Sequence, residues 1–135
     1  MTCQPERRPR IVLADDHPHV LAAVGRLLQL SCDVVVSVAN GHDAIEAVSR
    51  VRPDVLVVDL IMPDLDGVEI CRRVKHAAPN TDVVIMTAVD DEHIQAVAIQ
   101  HGASAFVPKH AVASTLERTI LELFAEKQDV RPARP

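Results

Sequence analysis

Apolar residues follow two alternating rhythms along this chain. Short, nearly unbroken runs occupy residues 10–14, 33–38, 54–59, 82–87 and 104–108. Between them, apolar positions recur three or four apart: Val20, Leu21, Val24, Leu27 and Leu28; Ala44, Ile45, Val48 and Val51; Val68, Cys71, Val74 and Ala78; Ile94, Val97 and Ala98; Val112, Leu116, Ile120 and Leu123. The runs have strand length, and the recurrences have the helical period. Strands apolar throughout are expected to be buried on both faces, as in a parallel sheet. Local signals agree. Pro18 suits a first helical turn. Asn40 is a good N-cap, with Asp43 three residues on. Pro53 and Pro79 stop the segments before them, Asp90 or Asp91 can cap the fourth helix, and Gly102 closes it. Pro108 suits an edge strand.

Five strand–helix alternations with short connections predict a doubly wound α/β fold built from right-handed βαβ units. For five strands the expected order is 2-1-3-4-5, the flavodoxin-like arrangement. The 135 residues suffice for one domain, placed at residues 10–125. Residues 1–9 read as a polar tail, and 126–135 as a tail or linker.

Composition narrows the class. A net charge of −5 argues against a basic nucleic-acid surface. No apolar run approaches a membrane span, and the N-terminus lacks the apolar core of a signal peptide, so a cytoplasmic protein is expected. Cys3, Cys32 and Cys71 are scattered and read as reduced thiols, the latter two as packing residues. The seven histidines show no zinc-site spacing; His17-Pro18-His19 is the only close pair. Without Trp or Tyr, and with only Phe106 and Phe124, the core must come from Val, Ile, Leu and Ala.

In such a sheet, ligands bind beyond the carboxyl ends of the strands, where strand order reverses between strands one and three. That rim receives Asp15 and Asp16 from strand one, Asp59 from strand three, Thr87 from strand four and Lys109 from strand five. Two carboxylates about 4 Å apart at an effective dielectric near 20 repel by roughly 4 kcal/mol, so a cation is expected. Oxygen donors without thiolates favour a hard ion, with Mg²⁺ fitting best. A carboxylate can act as nucleophile and become an acyl phosphate. Lys109, Thr87 and the metal would offset the charge of an arriving phosphoryl group. Asp64 and Asp66 read as solvated turn formers, and His17 as a helix-start residue.

Asp15-Asp16, Asp59-x-x-Met62-Pro63-x-x-x-Gly67, Thr87-Ala88 and Phe106-x-x-Lys109, in this order, resemble the receiver domain of two-component response regulators. The resemblance covers residues 10–125. It implies that Asp59 accepts a phosphoryl group from a phosphohistidine on a sensor kinase or phosphotransfer protein. Asp16, Asp59 and the backbone carbonyl of Ile61 would bind Mg²⁺, with Asp15 contributing through water. Thr87 and Lys109 would hold phosphoryl oxygens, and the small Ala88 would leave room for them. Phe106 would be an aromatic switch, and output would run through the face of helix four, strand five and helix five, residues 91–125. The order Pro108-Lys109-His110 departs from the commoner Lys-Pro and resembles receivers attached to helix-turn-helix outputs; a cis Lys109–His110 bond would cost about 3 kcal/mol.

The resemblance implies a self-phosphorylating switch rather than a small-molecule enzyme. It would act alone or as part of a transcriptional regulator, read by a downstream protein or fused output domain. This chain would make no direct contact with nucleic acid or membrane, and a homodimer is compatible with it. Ile61 and Val89, two residues after Asp59 and Thr87, should flank the mouth where water attacks; being apolar, they predict slow dephosphorylation. Two other functions suit the same fold. A flavodoxin-like electron carrier would need a Ser-, Thr- or Gly-rich phosphate loop after strand one, where this chain has Asp15-Asp16-His17-Pro18. An aspartyl-nucleophile phosphatase would carry a second carboxylate where Ile61 stands.

Overall fold

The computed structural model describes residues 7–88 and 91–130. Its elements follow the two rhythms: β1 Arg10–Ala14, α1 Pro18–Leu28, β2 Asp33–Val38, α2 Gly41–Val51, β3 Val55–Asp59, α3 Gly67–Ala77, β4 Asp82–Thr87, α4 Glu92–Gln100 and β5 Ala105–Pro108. A 3₁₀ turn at Lys109–Ala111 and a π turn at Val112–Leu116 then lead into α5, Glu117–Val130. The strands form one parallel sheet in the order β2-β1-β3-β4-β5, as expected.

Alternation along the strands divides the core between two layers. Val12, Leu56, Val58, Val83 and Ile85 face α2, α3 and α4, meeting Val48, Ile70, Val74 and Ala98. Ile11, Leu13, Val55, Val57, Val84 and Met86 face α1 and α5, meeting Val24, Leu28, Leu116 and Ile120. The central strand β3 is buried from Val55 to Asp59, while the edge strand β2 alternates between exposed and half-buried residues. Its burial on both faces explains why the β3 run is continuous. Cys32 and Cys71 are free and buried, and burial pushes the Cys71 thiol up to about 11.

The caps form where the sequence placed them. The Asn40 side chain accepts from the Asp43 amide, and Asp91 accepts from the amides of His93 and Ile94. Gly102 follows α4 with φ +107, a conformation that side-chain-bearing residues rarely adopt.

Four expectations need correction. Residues 7–9 are docked rather than free: Arg7 reaches both carboxylate oxygens of Asp54, Arg8 reaches the carbonyls of Gln29 and Cys32, and Pro9 is buried. Residues 126–130, read as tail, continue α5, and Lys127 Nζ in this last stretch donates to the carbonyls of Asp54 and Asn80. The last helix does not begin at Val112, where the chain instead makes its 3₁₀ and π turns. Asp64 and Asp66 are cappers rather than solvated turn formers. Asp66 is the N-cap of α3, and Asp64 receives the Gly41 and His42 amides at the head of α2. The described peptide bonds are all trans, Lys109–His110 among them. Met1 to Glu6, with Cys3, Val89 and Asp90, and residues 131–135 lie outside the described residues.

Candidate functional site

Three strand ends build the site. β1 ends at Ala14, and the next residue, Asp15, is wholly buried. β3 ends at Asp59, which is 5% exposed. The register sets Ala14 beside Val58 and Asp59 beside Met86, so these ends lie at one level of the sheet. Lys109, directly after β5, reaches the same place. Its Nζ donates to Asp59 Oδ2 at 2.8 Å and lies 3.2 Å from Asp15 Oδ2. The pairing spans 50 residues of sequence.

Electrostatics at the lysine are decided by competition. Partial burial works against its charge, but the hydrogen bond and charge of Asp59, then the charge of Asp15, prevail and hold the ammonium above the ordinary lysine value. Lys109 is thus a fixed cation at any physiological pH.

On the acid side, ligand atoms of Asp15, Asp16, His17 and Asp59 all lie within 4.8 Å of one another. Among the described residues this is the one such group of His, Cys, Asp and Glu. One lysine cannot balance three carboxylates. Asp15 Oδ2 is buried and shares the Lys109 ammonium, 3.2 Å away, with Asp59. Buried carboxylates that share one cation remain costly, and a second cation relieves them. The donor set therefore fits a hard divalent ion. His17, read as a helix-start residue, does occupy the N-cap position of α1, but its side chain caps nothing. Its ring instead sits 3.1 Å from Asp15 and 3.2 Å from Asp16. Sequence reasoning did not assign this, although the run Asp15-Asp16-His17 was the available signal.

The remaining predicted residues lie along β4 and β5 and in the loop after β3. Thr87 is buried at the carboxyl end of β4, one position beyond the neighbour of Asp59, and Ala88 follows it, exposed. Phe106 pairs in register with Ile85 on β5 and is half-buried against the α2–α4 side of the core. Ile61 is 64% exposed, and its amide donates to Asp59 Oδ1 at 3.3 Å. Its bridge to Asp66 shapes the loop between β3 and α3. Gly67 allows that loop to close, since a Cβ there would lie 2.9 Å from the Cα of Leu60.

Comparison with known proteins agrees with this geometry. The response regulator receiver domain family matches residues 11–121. The chain is 32% identical over 117 residues to the response regulator protein VraR of Staphylococcus saprophyticus, covering 85% of this chain and 56% of that protein. It is 30% identical over 114 residues to the transcriptional regulatory protein LnrK of Bacillus subtilis, covering 83% and 52%. The chain thus spans about half the length of these curated relatives. Among solved structures, a two-component response regulator of the LuxR family from Aurantimonas superposes with a TM-score of 0.84 at 28% identity, over 89% of this chain and 87% of that one. With its acid pocket, paired lysine and strand order, the chain belongs to the response regulator receiver domain family.

Proposed function

We propose that the protein is a phosphorylation-dependent signalling switch in which Asp59 is the phosphoryl acceptor. One observation carries the reading: Asp59 lies at the end of the central strand, 2.8 Å from Lys109, inside a pocket of excess negative charge. Asp59 attacks the phosphorus of a phosphohistidine on a sensor kinase or phosphotransfer protein. The oxygen–phosphorus bond forms as the phosphorus–nitrogen bond breaks, and the imidazole keeps the electron pair. A bound Mg²⁺ supplies counter-charge, and Asp16, Asp59 and the Ile61 carbonyl would hold it, with Asp15 reached through water. Lys109 transfers its hydrogen bond from the carboxylate to a phosphoryl oxygen, and the Thr87 hydroxyl donates to another. Ala88 leaves that space open.

Movement of Thr87 towards the phosphoryl group frees room into which Phe106 turns. The surface that changes is formed by α4, β5 and α5, where Ile99 and Leu121 are exposed apolar residues suited to a protein partner or a fused output domain. No described helix is long and apolar enough to cross a membrane. A cytoplasmic switch, read by protein rather than by direct nucleic-acid contact, accounts for these features.

Incubation with acetyl phosphate or phosphoramidate and Mg²⁺, followed by intact mass, tests the proposal. One added phosphoryl group, absent in Asp59→Asn, is expected; no labelling with any donor would overturn it. Ile61 tunes the lifetime. Its exposed apolar side chain offers water no hydrogen bond, so Ile61→Asn should shorten the acyl phosphate half-life severalfold, and an unchanged half-life would remove Ile61 from that role. Val89, expected to act likewise, lies outside the described residues.

A further inference from the structure

We infer that His17 is a cation ligand in the acid pocket, and that its imidazole nitrogen biases the site from Mg²⁺ towards first-row transition cations such as Mn²⁺. The inference rests on the pocket being a cation site, and it concerns which cation the site prefers.

Three observations support it. First, His17 Nδ1 lies 3.1 Å from Asp15 Oδ1 and 3.2 Å from Asp16 Oδ1. It belongs with Asp15, Asp16 and Asp59 to the one group whose ligand atoms all fall within 4.8 Å. Ligands bound about 2.0–2.2 Å from one ion must lie within roughly 4.4 Å of each other, and small side-chain adjustments cover the remainder. Second, the ring is held there by its own backbone: the His17 amide donates to Asp15 Oδ1 at 2.8 Å, which fixes the turn presenting the imidazole. Third, the wholly buried Asp15 and the nearly buried Asp59 share the single ammonium of Lys109, so the pocket keeps excess negative charge for a cation to offset.

Two other histidines use their rings differently. His42 meets the single carboxylate of Asp64, and His101 Nδ1 meets the carbonyl of Val97. His17 alone among the described histidines stands between two acids of the pocket. Its side chain is 63% exposed, so an ion can reach it without opening the fold.

Ligand chemistry then decides the preference. Mg²⁺ takes oxygen donors and retains its waters, whereas imidazole suits transition cations. A set of carboxylates plus one imidazole keeps Mg²⁺ as a competent occupant but gains affinity for Mn²⁺, Co²⁺, Ni²⁺ and Zn²⁺ in particular. Coordination through Nδ1 places the ring proton on Nε2.

The test uses the full, untagged chain loaded with Mn²⁺. Electron spin-echo modulation should show a directly bound imidazole nitrogen, lost in His17→Gln. Calorimetry should show Mn²⁺ affinity falling about tenfold in that variant while Mg²⁺ affinity changes by less than about twofold. No nitrogen modulation in the wild type, or equal loss of both affinities in His17→Gln, would overturn the inference; His17 would then only position the acids. Asp59→Asn separates the two levels. If wild type and Asp59→Asn bind Mg²⁺ and Mn²⁺ equally poorly, the pocket itself is not a cation site and both readings fall together.

Discussion

The two rims of the sheet carry similar residues and put them to opposite use. At the amino-terminal rim, Asp54 accepts from both terminal nitrogens of Arg7 and from the Arg10 amide. Asp82 accepts from Ser104 through one oxygen and has Lys127 3.4 Å from the other. Both of these acids have a cation. The carboxyl-terminal rim sets Asp15, Asp16 and Asp59 against Lys109 alone. A cavity of about 980 Å³ opens at the amino-terminal rim, lined in part by Pro53, Asp54, Thr81 and Lys127, so neither cavity volume nor the presence of acids distinguishes the two rims. Unbalanced charge does, because only an unbalanced rim gains by taking in a cation and a phosphoryl group.

The largest test of this contrast compares the two lysines. Lys109→Met should slow labelling by acetyl phosphate about a hundredfold, the usual size of a lost charge stabiliser. Lys127→Met, at the opposite rim, should leave the rate within about twofold. A time course by intact mass decides, and similar slowing in both variants would dissolve the distinction between rims.

Stability should respond with opposite signs. Asp54→Ala leaves Arg7 and the Arg10 amide without their acceptor and should cost about 1–3 kcal/mol in urea unfolding. Asp16→Asn relieves repulsion and should raise stability by about 1 kcal/mol in metal-free buffer. Millimolar Mg²⁺ should erase that gain, because the wild type then binds the ion in its folded state. Destabilisation by both substitutions without metal would show that the pocket acids are already balanced.

A smaller, pH-dependent effect belongs to the loop joining β3 to α3. Burial opposes ionisation of Asp64, but hydrogen bonds from the His42 and Gly41 amides and the His42 ring outweigh it and hold the carboxyl well below the usual carboxylate range. A lowered folded value contributes stability that is present above the unfolded value, near pH 4, and is lost as pH falls through the folded value. Asp64→Ala should therefore cost about 1 kcal/mol at pH 7, the usual size of a lost helix cap. The gap between variant and wild type should narrow steadily below pH 4 in thermal melts, and a constant gap would contradict the assignment.

The sheet and the centre of the site were legible because both follow from alternation and topology. A continuous run ending in Asp59 had to be a buried strand, and the strand order brought Asp15 and Lys109 to it. Contacts made by side chains that could equally have faced water were not legible. Asp64 reaches 22 residues back to α2, and Arg7 reaches 47 forward to Asp54; neither pairing leaves a periodic trace. The π turn hid for a related reason, since Val112 and Leu116 stand four apart, the spacing of an ordinary helix. His17 looked like the start of a helix, which it is; its ring position depends on a backbone turn closed by Asp15.

One stretch of chain ties both rims. Lys109 and Lys127 stand eighteen residues apart, one at each end of the segment that includes α5. The segment works as a strap riveted at both ends. Its upper rivet is set in the pocket through Asp59, and its lower rivet grips the carbonyls of Asp54 and Asn80. On the proposed reading, phosphorylation would draw Lys109 from the carboxylate to a phosphoryl oxygen, shifting the upper rivet while the lower one holds. The change in tension would then be taken up along the strap, including the outer face of α5.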